Sequence, residues 1–143
     1  DIVELVEDAK AKGARVLCGG ETPEGLGFFY PATVIDQLTD DMKLVMEEAF
    51  GPVATIYKVQ NREEAIKIAN QTTFGLSSAI WSEDEAEQDY FVEHLQAGAV
   101  FVNGMTISYP ELAFGGIKDS GFGRELSDAG IKEFCNLKTV WKA

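Results

Sequence analysis

Asn61-Arg62-Glu63-Glu64-Ala65-Ile66-Lys67-Ile68-Ala69-Asn70 and, after a short turn, Leu76-Ser77-Ser78-Ala79-Ile80-Trp81 decide the fold class. Asn61 and Glu64 have the Asn-x-x-Glu form of a capping box, and Ala65, Ile68 and Ala69 supply one apolar face. The spacing therefore predicts a helix over 61–70. Thr72-Thr73-Phe74-Gly75 reads as a turn and Leu76 to Trp81 as a strand. The pattern then repeats. Ser82-Glu83-Asp84-Glu85 is a second capping box that opens a helix to about Leu95, Gly98 closes it, and Ala99-Val100-Phe101-Val102 is a continuous apolar run of the buried-strand kind. Helix and strand alternating across short connections predict an α/β fold with a largely parallel sheet flanked by helices.

Towards the N-terminus, Ile2, Leu5, Val6 and Ala9 fall at helical spacing, so an amphipathic helix runs to Gly13. Arg15 to Cys18 is a short strand, and Gly19 to Gly27 is a Gly- and Pro-rich surface loop without the Lys-Ser/Thr of a phosphate cradle. Tyr30 to Ile35 reads as a strand, with Pro31 confining it to an edge or a strand start. Towards the C-terminus the period is lost from Gly104 to Glu111. A glycine-dense segment follows, Phe114 to Glu125, then a final helix over about Glu125 to Asn136 with Leu126, Gly130 and Phe134 on one face, and a terminal strand over Leu137 to Trp141. No repeat or linker interrupts the chain, and one domain is the economical reading.

At 143 residues, 45% hydrophobic and 25% charged, the chain has the composition of an ordinary globular domain. A net charge of −12 opposes docking on a phosphate backbone or an anionic membrane, and no apolar run reaches the length needed to span a bilayer. Nucleic acid and membrane are poor partners. Cys18 and Cys135 stand apart from each other and from His94, which argues against a zinc site and fits a reducing cytoplasm. The chain opens on Asp1 and reads as a piece of something longer.

Met46-Glu47-Glu48-Ala49-Phe50-Gly51-Pro52-Val53 carries the chemistry that spacing suggests. It sets carboxylates and a phenyl ring at a loop-to-strand boundary, before the β-branched run Val53 to Val59. An ionised carboxylate accepts hydrogen bonds from paired hydroxyls and a flat ring covers a sugar face, so a polyhydroxylated ligand could be met there. Spacing alone gives more weight to a solvated acidic turn followed by a buried Phe. Gly121-x-Gly123 is a structural turn and not a dinucleotide fingerprint, because Leu126 stands where the third glycine belongs. His94 reads as a solvated helix residue, and Cys135 as packing.

Five ordered blocks carry a resemblance. They are Glu47-Glu48-Ala49-Phe50-Gly51-Pro52-Val53; Ala69-Asn70-x-Thr72-x-Phe74-Gly75-Leu76; Gln96-Ala97-Gly98-x-Val100-x-Val102-Asn103; Phe114-Gly115-Gly116-x-Lys118-x-Ser120-Gly121-x-Gly123-Arg124-Glu125; and Lys138-Thr139-Val140. In this order, over essentially the whole chain, they resemble the C-terminal part of the catalytic domain in the aldehyde dehydrogenase superfamily. Asn103 to Glu111 and the ending Glu133 to Trp141 look most like the bacterial NADP-using succinate-semialdehyde dehydrogenases.

The resemblance implies an oxidoreductase in which a cysteine thiolate attacks the aldehyde, hydride passes to NADP or NAD, and a glutamate-activated water hydrolyses the thioester. It assigns Glu48 to the nicotinamide-ribose hydroxyls, Phe50 to packing on that ribose, Phe114 to the wall of the aldehyde pocket and Ser108 to the distal carboxylate of a semialdehyde. It casts Asn103 and the glycine-rich segment as shaping that loop. It divides the chain into part of a catalytic domain, 1–136, and an oligomerisation strand, 137–143, of a homodimer or homotetramer. Ala113 stands where the family places a proline. The Gly-Gln-x-Cys nucleophile motif, the general-base glutamate and the Gly-rich cofactor turn are not among these residues. The chain by itself is therefore expected to be inactive. The alternative is a non-catalytic α/β module that adds its terminal strand to a partner sheet.

Overall fold

A computed structural model describes residues 1–143, which fall into two compact units, Asp1–Gln60 and Asn61–Ala143, where the sequence reading had one domain. Each is an α/β assembly in its own right.

The first unit is organised by helix α1 (Ile2–Ala11), whose Leu5, Val6 and Ala9 are buried. Its turn-out is where the spacing put it: Gly13 takes φ +99° and the Ala14 amide closes on Ala9 O at 2.9 Å. The strands β1 (Arg15–Cys18), β2 (Thr33–Asp36) and β3 (Val53–Ile56) form one sheet with β2 in the middle, antiparallel to β1 and parallel to β3. Strand β2 begins at Thr33 and not at Tyr30, because Pro31 has no amide to donate and the Thr33 N–H is the first to find a partner, Pro52 O at 2.8 Å. A short helix unforeseen in the sequence, α2 (Lys43–Met46), lies between β2 and β3. Leu5, Val6, Ala9, Ile35, Met42 and Leu44 make the core, and fully burying a side chain such as Ile35 or Met42 contributes roughly 1.5–3 kcal/mol.

Ionic contacts tie these pieces. Asp8 accepts from the Lys43 backbone N–H at 2.9 Å and pairs with Lys12 at 2.9 Å, joining α1 to the start of α2. The amide of Lys43, then the Lys12 ammonium, holds the Asp8 carboxyl below its usual range. Arg15 and Asp36 face each other across β1 and β2, and the guanidinium grips the carboxylate through two nitrogens, Nε to Oδ1 at 2.9 Å.

The second unit contains the predicted strand–helix–strand crossover. Strands β5 (Ser77–Ile80) and β6 (Ala99–Val102) are parallel and in register from Ser77↔Ala99 to Ile80↔Val102, joined by helix α4 (Glu85–His94). Helix α3 (Arg62–Ala69) is capped as expected, Asn61 Oδ1 accepting from the Glu64 N–H at 2.9 Å. The cap of α4 lies two residues later than the Ser82 box: Asp84 accepts from the amides of Ala86 and Glu87, at 2.9 and 3.3 Å. Ser82 Oγ instead accepts from the Asp84 N–H at 3.2 Å and contacts Glu87. A carboxylate is the stronger acceptor at the positive end of a helix, and it takes the position.

The Phe74-Gly75 end of the expected turn is a strand, β4 (Phe74–Gly75), antiparallel to β7 (Ile117–Lys118) from the glycine-dense segment. The strands thus form three small sheets, with parallel and antiparallel pairs. The last helix, α5 (Ser127–Glu133), is shorter than its apolar spacing suggested. Leu126 lies outside it at φ +61°, and Phe134 is 95% exposed. Residues 137–143 form no strand within the single chain. Cys135, read as packing, is exposed with its thiol directed at Ile131 O. His94 is exposed as expected, its Nδ1 2.7 Å from Tyr90 O and its ring stacked on that of Tyr90. No helix is long and apolar enough to cross a membrane.

Candidate functional site

In the first unit, the sequence Glu47 to Pro52 forms the connection from α2 to β3, and it is held at both ends. Glu47 N–H closes on Lys43 O at 2.8 Å, while Pro52 O receives the Thr33 amide at 2.8 Å. Between them Gly51 approaches α1 so closely that a Cβ would lie 2.6 Å from Ile2 Cγ1. The glycine lets the loop seat against the helix.

Glu48 and Phe50 both project from this pinned segment into solvent. Phe50 is 84% exposed, which overturns the buried-Phe reading. Lys43, the nearby cation, is engaged by Glu4 and lies under the influence of Glu47. Glu48 has no hydrogen bond or ion pair with any side chain or amide of the chain, so its acceptor oxygens are unspent. A carboxylate with free lone pairs two residues from an exposed ring, on a loop hydrogen-bonded at both ends, fits a vicinal diol and the sugar ring that carries it.

In the second unit, Phe114 is half-buried and forms a wall of a cavity of about 380 Å³, shared with Phe101, Ile107, Tyr109 and Leu112. Its lining side chains are apolar apart from the Tyr109 hydroxyl, a make-up that suits the carbon chain of a small ligand. Ser108 is exposed and lies between two of the lining residues without lining the cavity itself. Ala113, where the resemblance expected proline, is also in the lining.

The polar residues of the motif blocks have other work. Asn103, at φ +53°, clasps the end of β5: its Nδ2 donates to Ser82 O at 2.9 Å and its Oδ1 accepts from the Ser82 N–H at 3.0 Å. Asn70 does the same across α4, donating to His94 O at 2.9 Å and accepting from the Gln96 N–H at 2.8 Å. Lys118 Nζ donates to Asn70 O and Thr72 O, each at 3.0 Å, and Arg124 Nη1 to Gly116 O at 2.9 Å. Ser120 Oγ accepts from the Gly75 N–H at 3.0 Å. These contacts satisfy backbone groups of the loops that lead to Phe114. The expectation was that Asn103 and the glycine-rich segment shape the 103–111 loop; the contacts found for Asn103 are with Ser82, beyond β5. The clasp by Asn70 was not foreseen, and a polar residue inside non-periodic sequence was the signal for it.

The aldehyde dehydrogenase family model matches residues 1–140. The chain belongs to the aldehyde dehydrogenase family. A succinate-semialdehyde dehydrogenase (NADP(+)) 1 of Mycobacterium ulcerans (strain Agy99) is 58% identical over 141 residues, 99% of this chain and 31% of the relative. An aldehyde dehydrogenase of Paenarthrobacter nicotinovorans is 56% identical over the same shares. Among solved structures, the succinic semialdehyde dehydrogenase of Streptococcus pyogenes in complex with NADP+ matches with a TM-score of 0.93 at 39% identity, over 99% of this chain and 31% of that one. The chain thus spans about 31% of the length of the curated relatives it matches. The match confirms the resemblance and the α/β fold class; in this structure the expected parallel pairs stand alongside antiparallel ones.

Proposed function

We propose that this chain is the cofactor-ribose and aldehyde-wall portion of an NAD(P)-dependent dehydrogenase that oxidises succinate semialdehyde to succinate in the cytoplasm. Support for the substrate comes from the names of relatives at 56–58% identity, and for the cofactor from those names and from a neighbour solved with NADP+. The observation that carries the reading is Glu48, an exposed carboxylate without a protein partner, two residues from the exposed ring of Phe50.

In this reading Glu48 accepts hydrogen bonds from the nicotinamide-ribose hydroxyls and Phe50 covers the ribose. The nicotinamide, when bound, takes up the hydride released from the substrate. Phe114 contributes an apolar wall that excludes water from the aldehyde carbon. Ser108 donates a hydrogen bond to the carboxylate at the far end of the semialdehyde. Neither exposed thiol, Cys18 or Cys135, has a base or a cation in hydrogen-bond contact, so neither is activated as a nucleophile. The 143 residues alone are inactive in this reading; a cofactor-dependent rise in absorbance with the purified chain and succinate semialdehyde would overturn that part.

The test of the site is Glu48→Gln in the full-length enzyme. Loss of charge-assisted hydrogen bonds worth about 1.5–3 kcal/mol raises the cofactor KM by roughly 10- to 100-fold. Thermal stability stays unchanged, because Glu48 has no partner within the chain. An unaltered cofactor KM and kcat would remove Glu48 from the site.

A second contribution, assembly of a homodimer or homotetramer, is favoured by Leu137, Val140 and Trp141, which are 101%, 68% and 83% exposed on a segment without strand partners. Truncation after Asn136 is expected to lower the oligomeric state in light scattering. An unchanged mass would leave 137–143 without that role.

A further inference from the structure

Asn103-Gly104 is the one Asn-Gly pair in the chain, and it stands at the exit of β6 into the loop that carries Ile107, Tyr109 and Leu112 to the cavity wall. Asparagine is chemically labile, and a following glycine offers no Cβ to obstruct attack by its own amide. The Gly104 N–H makes no hydrogen bond, and the nearest atom to a Cβ built on Gly104 is 3.8 Å away. The nucleophile is therefore open. The electrophile is not: the Asn103 side-chain amide is exposed but fastened at both ends to the backbone of Ser82. Ser82 O is itself fixed from α4 by the Gln88 side chain, Nε2 donating at 2.7 Å, and the Asn103 amide N–H is tied to Ile80 O at 2.7 Å.

We propose that Asn103 is a deamidation site gated by the Ser82 clasp, reacting when the ends of β5 and β6 open and leaving a side chain that cannot rebuild the clasp. Hydroxide takes the proton of the Gly104 amide and becomes water, the amide nitrogen bonds to Asn103 Cγ, and as the Cγ–Nδ2 bond breaks that nitrogen takes a proton from water and leaves as ammonia, regenerating hydroxide. Water then adds to either carbonyl of the succinimide and opens it to aspartate or isoaspartate. Nothing is oxidised or reduced. In the aspartate product an anionic oxygen replaces the Nδ2 donor, so it faces Ser82 O, 2.9 Å away in the intact clasp, as one acceptor against another. The acidic chain, at net −12, gains a further negative charge.

The gate sets the rate. Opening requires loss of the two clasp bonds, and one to two net hydrogen bonds correspond to a slowing of roughly 5- to 30-fold relative to an unconstrained chain. The experiment ages three samples side by side at mildly alkaline pH: the whole protein, a free peptide spanning 99–108, and the whole protein carrying Gln88→Leu, which removes the α4 tether on Ser82 O and leaves Asn103 itself unaltered. Conversion is read by peptide mass spectrometry and by enzymatic isoaspartate labelling. Ser82→Pro, which removes the donor to Oδ1, is a fourth sample where it folds. Conversion at Asn103 is expected to be slower in the protein than in the peptide by the stated factor, with Gln88→Leu in between. Equal rates in protein and peptide would overturn the gating, as would a Gln88→Leu protein that reacts no faster than the parent. No conversion in the protein after many peptide half-lives would overturn the site itself. None of these readouts uses enzymatic activity, so the outcome is independent of the proposed function.

Discussion

Gly98→Ala tests whether the second unit depends on the backbone contact that its glycines permit. Gly98 lies at the entrance to β6, its N–H donating to Gly75 O at 3.0 Å. A Cβ there would fall 1.7 Å from Gly115 O and 2.8 Å from Gly115 C, with Leu76 O at 3.0 Å. All three atoms are backbone, and none can swing aside as a side chain would. To reach even the shortest contact that real Cβ atoms make, the segments must part by about 1.3 Å. Gly115 is followed by β7 and preceded by the Phe114↔Glu125 bridge, so the displacement breaks pairing on both sides. Overpacking of this kind costs about 3 kcal/mol, the upper part of its usual range. Trp81 and Trp141 both belong to the second unit, so tryptophan fluorescence in a urea titration follows that unit alone. At typical slopes the midpoint falls by about 1 M or more. Gly104→Ala is the control, because its new methyl meets nothing nearer than 3.8 Å and the shortened list of unfolded conformations leaves stability within about 1 kcal/mol of the parent. Equal midpoints for the two variants would refute the claim that the approach of Gly98 to Gly115 holds this unit together.

Lys118→Met removes a cation that holds Asn70 O and Thr72 O. We expect a loss of about 1.5–3 kcal/mol, read by the same fluorescence titration, and equal stability would show those carbonyls to be satisfied otherwise. Asn61→Ala deletes the α3 cap and is expected to cost about 1 kcal/mol, with faster amide exchange confined to Glu64 and its neighbours. Acid should weaken the first unit in particular. Asp36, held below the usual carboxylate range first by its hydrogen bonds with Arg15, contributes stability that is fully present above the ordinary Asp pKa and is lost as pH falls through the lowered one. Asp8 behaves in the same way through the Lys43 amide. Amide exchange at Ile35 should therefore accelerate on acidification within and below that window, and Asp36→Asn should flatten the dependence; an unaltered acid limb in the variant would contradict the assignment.

What was legible in the sequence was what depends on local periodicity. Helix α1, strand β1, helix α3 and strand β6 fell within two residues of their expected positions because capping residues, glycine stops and apolar runs act over a few residues. The misses share a different cause. The start of β2 is set by Pro52 O, the existence of β4 by β7 more than forty residues later, and the N-cap of α4 by competition between Ser82 and Asp84. Each is a pairing decided in space, which no single window of sequence contains. The candidate site divides along the same line. The exposure of Glu48 was legible as that of an acidic turn, whereas the exposure of Phe50 ran against the local reading and the cavity beside Phe114 is assembled from β6 and from a loop without any period.

The contrast between the two units explains why the motif residues of the second are so polar. Every fully buried large apolar side chain belongs to the first unit, in the layer between α1, β2 and α2. In the second unit only glycines, Gly75, Gly116 and Gly130, are buried, while Trp81, Phe122 and Phe134 are largely exposed. Glycine brings no apolar surface to bury, so order there cannot come from a hydrophobic core of its own. It comes from backbone contact at Gly98 and Gly115 and from side chains that bridge carbonyls and amides, namely Asn70, Asn103, Lys118 and Arg124. Such bridges are directional, whereas apolar burial is not. A loop fastened by them holds Phe114 and the cavity wall at a set position without covering the cavity's lining. The same economy leaves the unit vulnerable at single atoms, and this is why one methyl at residue 98, one ammonium at residue 118 or one amide nitrogen at residue 103 should each be felt across it.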